Sequence, residues 1–169
     1  MEKTVDFYYV RHGKTLFNEL RRMQGYCDSP LTERGIEIAK EAREELKDID
    51  FDKAYCSTSE RCVDTASIVM EGRDIPIIYT KGLKEMNFGT YEGTRIENHL
   101  QEIDERRFSS FDWSDVGGED RRMLEERVKK TYQQICEEAE DNDKILIVSH
   151  GAIFLHMLDF LFGLDVNLP

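Results

Sequence analysis

The chain has 169 residues, 40% of them hydrophobic and 34% charged. This is an ordinary globular balance, long enough to bury roughly two thirds of the unfolded surface in one core. A formal net charge of −12 argues against nucleic acid or an anionic membrane surface as a partner, because both repel an acidic protein. The four cysteines, Cys27, Cys56, Cys62 and Cys136, form no Cys-x-x-Cys pair, and no leader-like or membrane-spanning run stands out. The expectation is one domain over residues 1–169, cytoplasmic, with reduced thiols that carry no metal or redox role.

The first strand is expected at about residues 5–10, an apolar run that stops at Arg11-His12-Gly13. Residues 13–31 read as loop, with Gly25 and the turn-like Asp28-Ser29-Pro30. Thr32 can cap a helix whose apolar positions Ile38, Ala39, Ala42, Leu46 and Ile49 recur at helical spacing. A second strand is expected at Lys53–Ser57. Ser59 then caps a helix with Cys62, Ala66, Val69 and Met70 inward and Gly72 near its end. Ile75–Tyr79 reads as a third strand, with Pro76 where a missing donor is tolerated.

From Gly82 to Gly118 the pattern weakens, and short helices and loops above the sheet are expected, including the single tryptophan, Trp113. A long amphipathic helix spans about 119–140, with Leu124, Val128, Ile135 and Ala139 on one face. Lys144–Ser149 forms the fourth strand and ends in His150-Gly151. A last helix runs from Gly151, apolar through Leu161. This order implies an α/β fold: three layers, α/β/α, around a mainly parallel central sheet, with the His12 and His150 strands as neighbours in its middle.

Ligands of open α/β sheets sit beyond the carboxyl ends of the strands. Two imidazoles and an arginine placed there can meet on one substrate. In an acidic chain, Arg11, Arg61, His12 and His150 gathered at one spot suit an anion. A phosphoryl group needs fixed donors on its oxygens, an in-line nucleophile and a proton for the leaving oxygen. Arg11 offers a planar fork. Arg61 lies just inside a helix N-terminus, itself favourable to an anion. Neutral His12 can attack phosphorus, and His150 can donate to the equatorial oxygens. Gly13 and Gly151 remove side chains where the backbone passes the ligand. Glu85 is the candidate proton donor, with Phe88 and Tyr91 available to desolvate it and raise its pKa.

Arg11-His12-Gly13-Lys14-Thr15-Leu16-Phe17-Asn18, Gln24-Gly25, Asp28-Ser29-Pro30-Leu31-Thr32, Arg61, Glu85 with Phe88-Gly89 and Glu92-Gly93, Gly117-Gly118-Glu119 and Ser149-His150-Gly151 occur in that order over nearly the whole chain. In this the chain resembles the histidine phosphatase superfamily, the phosphoglycerate mutase-like family. The resemblance implies His12 as the phosphorylated nucleophile, Arg11, Arg61 and His150 as the phosphate pocket, Glu85 as proton donor, and Asn18 as a phosphoryl contact. It implies no metal and no cofactor. Gln24, Gly25, Arg22, Tyr91 and Gly151 complete the expected substrate-binding set. The short stretch from Glu85 to His150 resembles small phosphatases of the α-ribazole phosphatase and fructose-2,6-bisphosphatase-like type. This implies a phosphomonoesterase acting on a small phosphorylated metabolite, with inorganic phosphate as the other ligand. A cofactor-dependent phosphoglycerate mutase is the alternative, and a phosphate-binding or regulatory member without turnover is a third.

Other residues read more plainly. His156 belongs to an apolar helix and His99 to a charged, exposed stretch. Arg106-Arg107 reads first as a solvated helix face and second as a contact for another anionic group. Lys14 stands where relatives often carry Glu or Gln and adds a cation near the site. Phe108, Phe111 and Trp113 pack or cap the pocket. Family members usually continue past the final helix with edge strands, so the end at Asp165–Pro169 predicts a sheet lacking them. The first strand is then an exposed edge, covered by a homodimer contact or belonging to a truncated form.

Overall fold

The structure is a computed structural model that describes residues 3–163. The expectation attached to the C-terminal residues 164–169 lies outside the described residues, as does the Phe108 side chain.

Four strands, β1 (Asp6–Arg11), β2 (Lys53–Ser57), β3 (Ile77–Thr80) and β4 (Lys144–Ser149), form a fully parallel sheet in the order β1-β4-β2-β3. The His12 and His150 strands are therefore neighbours, as expected. They do not share the middle: β4 and β2 are central, and β1 is an edge of the described sheet. The β4 sequence explains its place. From Ile145 to Ser149 every residue is buried, the pattern of a strand covered on both faces. β3 begins two residues later than expected, after Pro76 rather than through it.

Alternation along the strands builds two cores. Ile145 and Ile147 of β4 and Tyr55 of β2 face one cluster, with Leu124, Val128, Tyr132 and Ile135 of α5 (Arg121–Glu138) and Ile153 and Met157 of α6 (Gly151–Phe162). Leu146, Val148, Ala54 and Cys56 face the other, with Cys62, Ala66 and Val69 of α3 (Glu60–Val69) and Ala42 of α2 (Glu33–Glu45). The two thiols here are packed as small apolar groups.

Two local expectations change. The segment expected as loop holds a short helix, α1 (Leu16–Glu19), because Thr15 and Asn18 form a capping box. The α3 N-terminus is capped not by the Ser59 side chain, which makes no cap bond, but by Asp28, whose carboxylate accepts from the Glu60 N–H at 2.7 Å. A carboxylate from a distant loop does what the adjacent serine was expected to do. Between β3 and α5 lie 3₁₀ turns, the short helix α4 (Leu100–Glu105) and a π turn at Arg106–Ser110. Among the described residues, no helix is long and apolar enough to cross a membrane.

Candidate active site

Parallel pairing of Arg11 with Ser149 brings the ends of β1 and β4 level, and the His12 N–H continues the ladder onto Ser149 O at 3.0 Å. The two imidazoles then lie edge to face, ring centroids 5.2 Å apart. A cavity of about 500 Å³ opens beside His12, in the range that admits a small metabolite.

His12 Nδ1 lies 2.8 Å from the carbonyl of Gly13. A carbonyl only accepts, so Nδ1 carries the proton and Nε2 keeps its lone pair. Burial, then the nearby Arg61 guanidinium, lowers the His12 pKa from 6.5 to about 4. The ring is thus neutral and nucleophilic at ordinary pH. Gly13 itself does not face the ligand space as expected. A Cβ there would lie 2.3 Å from Gly35 O, so glycine is required by the packing of this turn on α2.

Arg61 and His150 are both fully buried. The Arg61 guanidinium donates to Asp28 (2.7 Å), to the Cys27 and Gly25 carbonyls (3.0 and 2.9 Å) and to His150 Nδ1 (3.0 Å). His150 Nε2 meets Ser57 Oγ at 2.9 Å, and Cys62 Sγ lies 3.4 Å from the same nitrogen. Burial, reinforced by Arg61, pushes the His150 pKa well down. Sequence reasoning reaches Ser57 only as the end of the second strand. It does not reach Asp28 as the partner of Arg61, because that residue reads as part of a turn.

The cavity wall is rich in donors that lack acceptors. Arg11 and Gly151 line it, and the exposed Arg11 side chain makes no hydrogen bond or ion pair among the described residues. Asn18 and Gln24 also line it. Asn18 spends its carbonyl on the Thr15 N–H, and Gln24 spends its own on the Thr15 hydroxyl, which leaves both amide groups to donate. The buried Gln24 Nε2, Arg22 Nε and Arg61 Nε have no hydrogen-bond partner among the described residues. Arg22 reaches the cavity rim while donating to Gly93 O at 2.6 Å. Arg21 and Arg107 are further cavity residues, and sequence reasoning missed Arg21. Its φ of +50° is a conformation that L side chains seldom adopt and that gathers at functional sites. Phe17, Phe88, Phe111 and Trp113 supply the apolar wall.

Glu85 faces the same cavity. Its carboxylate accepts from the Met86 N–H at 3.1 Å and the Ala152 N–H at 3.4 Å. Burial nevertheless dominates and raises its pKa above 4.5 against those bonds and the two arginines. Phe88 lines the same cavity.

Four expected site residues do not line the cavity: Arg61 and His150, which are buried, and Tyr91 and Gly25; Lys14, expected near the site, also stands apart. Tyr91 is not in the cavity wall. Its ring packs edge-on against Trp113 and His99, under Arg106. Gly25 does not line the cavity either. A Cβ there would sit 1.9 Å from Met86 O, so the glycine lets its loop pass close enough for its carbonyl to hold Arg61. Lys14 pairs with Glu19 at 3.2 Å on the surface, away from the cavity. The Arg106-Arg107 pair divides: Arg106 is held by Asp115 at 2.6 Å, and Arg107 faces the cavity. Glu92, unassigned by sequence, accepts the Gly25, Tyr26, Cys27 and Phe88 N–H groups and so shapes the loop that grips Arg61. Among the described residues, no three His, Cys, Asp or Glu side chains stand together as a metal site.

A neutral histidine and a shell of unpartnered donors at the carboxyl ends of a parallel sheet suit a protein that handles phosphoryl groups. The profile of the histidine phosphatase superfamily (branch 1) matches residues 7–169, and the chain belongs to that family. It is 34% identical over 151 residues to the adenosylcobalamin/alpha-ribazole phosphatase of Salmonella typhimurium, covering 86% of this chain and 74% of that protein. It is 29% identical over 164 residues to a probable phosphoglycerate mutase GpmB of Erwinia tasmaniensis, covering 95% and 76%. The crystal structure of phosphoglycerate mutase from Bacillus anthracis superposes with a TM-score of 0.87 at 31% identity, covering 98% of this chain and 83% of that one. The chain is accordingly a phosphatase-type enzyme of this superfamily.

Proposed function

We propose that the protein is a phosphomonoesterase that hydrolyses a small phosphorylated metabolite through a phosphohistidine on His12. The observation that supports it best is the concentration of donors without acceptors around a neutral imidazole, in a chain of net charge −12.

In the first step His12 Nε2 attacks phosphorus and the ester P–O bond breaks. Glu85 gives its proton to the departing oxygen, so no free alkoxide forms. In the second step water attacks the phosphohistidine, Glu85 takes its proton, and inorganic phosphate leaves as His12 returns to neutrality. Arg11, Asn18, Gln24 and the Gly151 end of α6 hold the non-bridging oxygens. Arg61 and His150 act from behind His12. A phosphoryl oxygen that displaces Ser57 from the His150 Nε2–H gains a donor already fixed in direction. The reading requires neither metal nor cofactor. Arg21 and Arg107, at the cavity but without acidic partners among the described residues, support a substrate with a second anionic group.

The test is hydrolysis of p-nitrophenyl phosphate in EDTA by the wild-type chain and by His12→Ala, with mass spectrometry of acid-labile phosphoenzyme. Turnover that survives EDTA and falls at least about 10⁴-fold in the variant is expected. EDTA-sensitive turnover, or an active His12→Ala protein, overturns the reading. Phosphoenzyme that passes its phosphoryl group to phosphoglycerate rather than water selects the mutase.

A further inference from the structure

We infer that the Glu119–Arg127 ion pair positions Glu85, clamping the backbone on both sides of it so that its carboxyl meets the leaving oxygen. The inference rests on Glu85 as proton donor.

Arg127 spends all five of its N–H groups on this task. Nε and Nη2 donate to the two Glu119 oxygens at 2.8 and 2.7 Å. Nη1 donates to Gly82 O and Lys84 O at 3.1 and 2.6 Å, and Nη2 to Glu85 O at 3.2 Å. Glu119 completes the grip: its Oε2 accepts the Asn87 N–H at 2.9 Å, and its own N–H donates to Asn87 O at 2.9 Å. The segment Gly82–Asn87 is thus held at four carbonyls and one amide, with Glu85 inside the span. Glu119 is 7% exposed.

Two features separate this pair from general core stability. A buried ion pair is a weak stabiliser compared with apolar packing of the same volume, because both charges lose their hydration. What it offers is direction, since a planar fork with five donors tolerates little displacement of its acceptors. The segment also follows β3 and carries no regular structure beyond one 3₁₀ turn, so no helix or sheet ladder fixes Glu85. A lysine at position 127 has three hydrogens on one atom and cannot span carbonyls on opposite sides of the site.

The test uses leaving-group dependence. An alkyl phosphate such as glycerol 2-phosphate needs its departing oxygen protonated, whereas p-nitrophenolate leaves with little help. For Arg127→Lys and for the isosteric Glu119→Gln, kcat on the alkyl phosphate is expected to fall about 10- to 100-fold. On p-nitrophenyl phosphate it should fall only a few-fold, with KM little changed on either. Glu85→Gln sets the limiting pattern. Parallel losses on both substrates in the folded variants overturn the inference, because a structural role lowers both alike. If Arg127→Lys does not fold, Glu119→Gln carries the same comparison. If Glu85→Gln itself loses both substrates equally, or the wild type turns over neither, the donor reading fails instead, and the two failures are distinct.

Discussion

Arg61 donates a guanidinium N–H to His150 Nδ1 at 3.0 Å, and neither side chain reaches the surface. Guanidinium has no acceptor, so this contact assigns the His150 tautomer: Nδ1 accepts, Nε2 carries the proton, and that proton points at Ser57 Oγ. The same arginine lowers the pKa of both His12 and His150. One buried cation thus adds to burial in keeping both imidazoles neutral and fixes the orientation of His150. The arrangement depends on Asp28, the only carboxylate paired with Arg61 among the described residues.

Asp28→Ala is therefore expected to destabilise the protein by about 3–5 kcal/mol, the usual effect of leaving a buried charge unpaired. It also removes the acceptor at the α3 N-terminus. Urea unfolding checks the stability. Inhibition by inorganic phosphate should weaken in the same variant. Stability within about 1 kcal/mol of wild type would show that the ion pair is not what holds Arg61.

The pH dependence of kcat/KM should have two limbs. His12 must be neutral to attack, so the rate rises as pH climbs through about 4. Glu85 must be protonated to donate, and its pKa is raised above 4.5. The rate therefore falls again as pH passes that raised value, and the optimum lies between the two limbs. Glu85→Gln should lose the falling limb, and comparing the two profiles removes the substrate's own ionisation.

Stability should respond to acid through the histidines. The unfolded chain takes up a proton at His12 near pH 6.5, but the folded chain only near 4. Between those values the unfolded state binds more protons, so stability present above 6.5 is lost as pH falls toward 4, by roughly 3 kcal/mol at most. His150 acts in the same direction. Glu85, whose folded pKa is raised, acts in the opposite direction above 4.5. Urea midpoints at pH 7 and 4.5 for wild type and His12→Gln isolate the His12 part as the difference of differences.

Arg21→Ala and Arg107→Ala should each raise KM about 10-fold for phosphate esters with a second anionic group. KM for p-nitrophenyl phosphate, which lacks one, should stay within about two-fold. Steady-state kinetics on paired substrates decide it. Equal effects on both kinds would assign these residues to the phosphoryl end or to long-range attraction.

The candidate site was legible where local pattern and strand ends coincide. Arg11-His12-Gly13 and Ser149-His150-Gly151 end strands, and strand ends in a parallel sheet converge. Tyr91 and Gly25 show where legibility stops. Both belong to motifs that surround the cavity, yet Tyr91 packs against Trp113 and Gly25 turns its carbonyl to Arg61. Motif membership does not distinguish a residue that touches the ligand from one that supports a neighbour. Arg21 was missed for the opposite reason: it belongs to no periodic face, and only its left-handed backbone and its place in the wall single it out.

By itself the sequence determined the order of strands and helices and which faces are buried, because apolar periodicity and caps act over a few residues. It also determined the family, because the chemistry-bearing residues occur in order along the chain. The tertiary structure alone decided that β4 enters between β1 and β2, that Asp28 rather than Ser59 caps α3, and that Arg61 and His150 lie buried as partners. Each of these depends on a contact between residues distant in sequence. Such a contact is selected by burial and hydrogen-bond satisfaction across the whole core, and no local pattern records it.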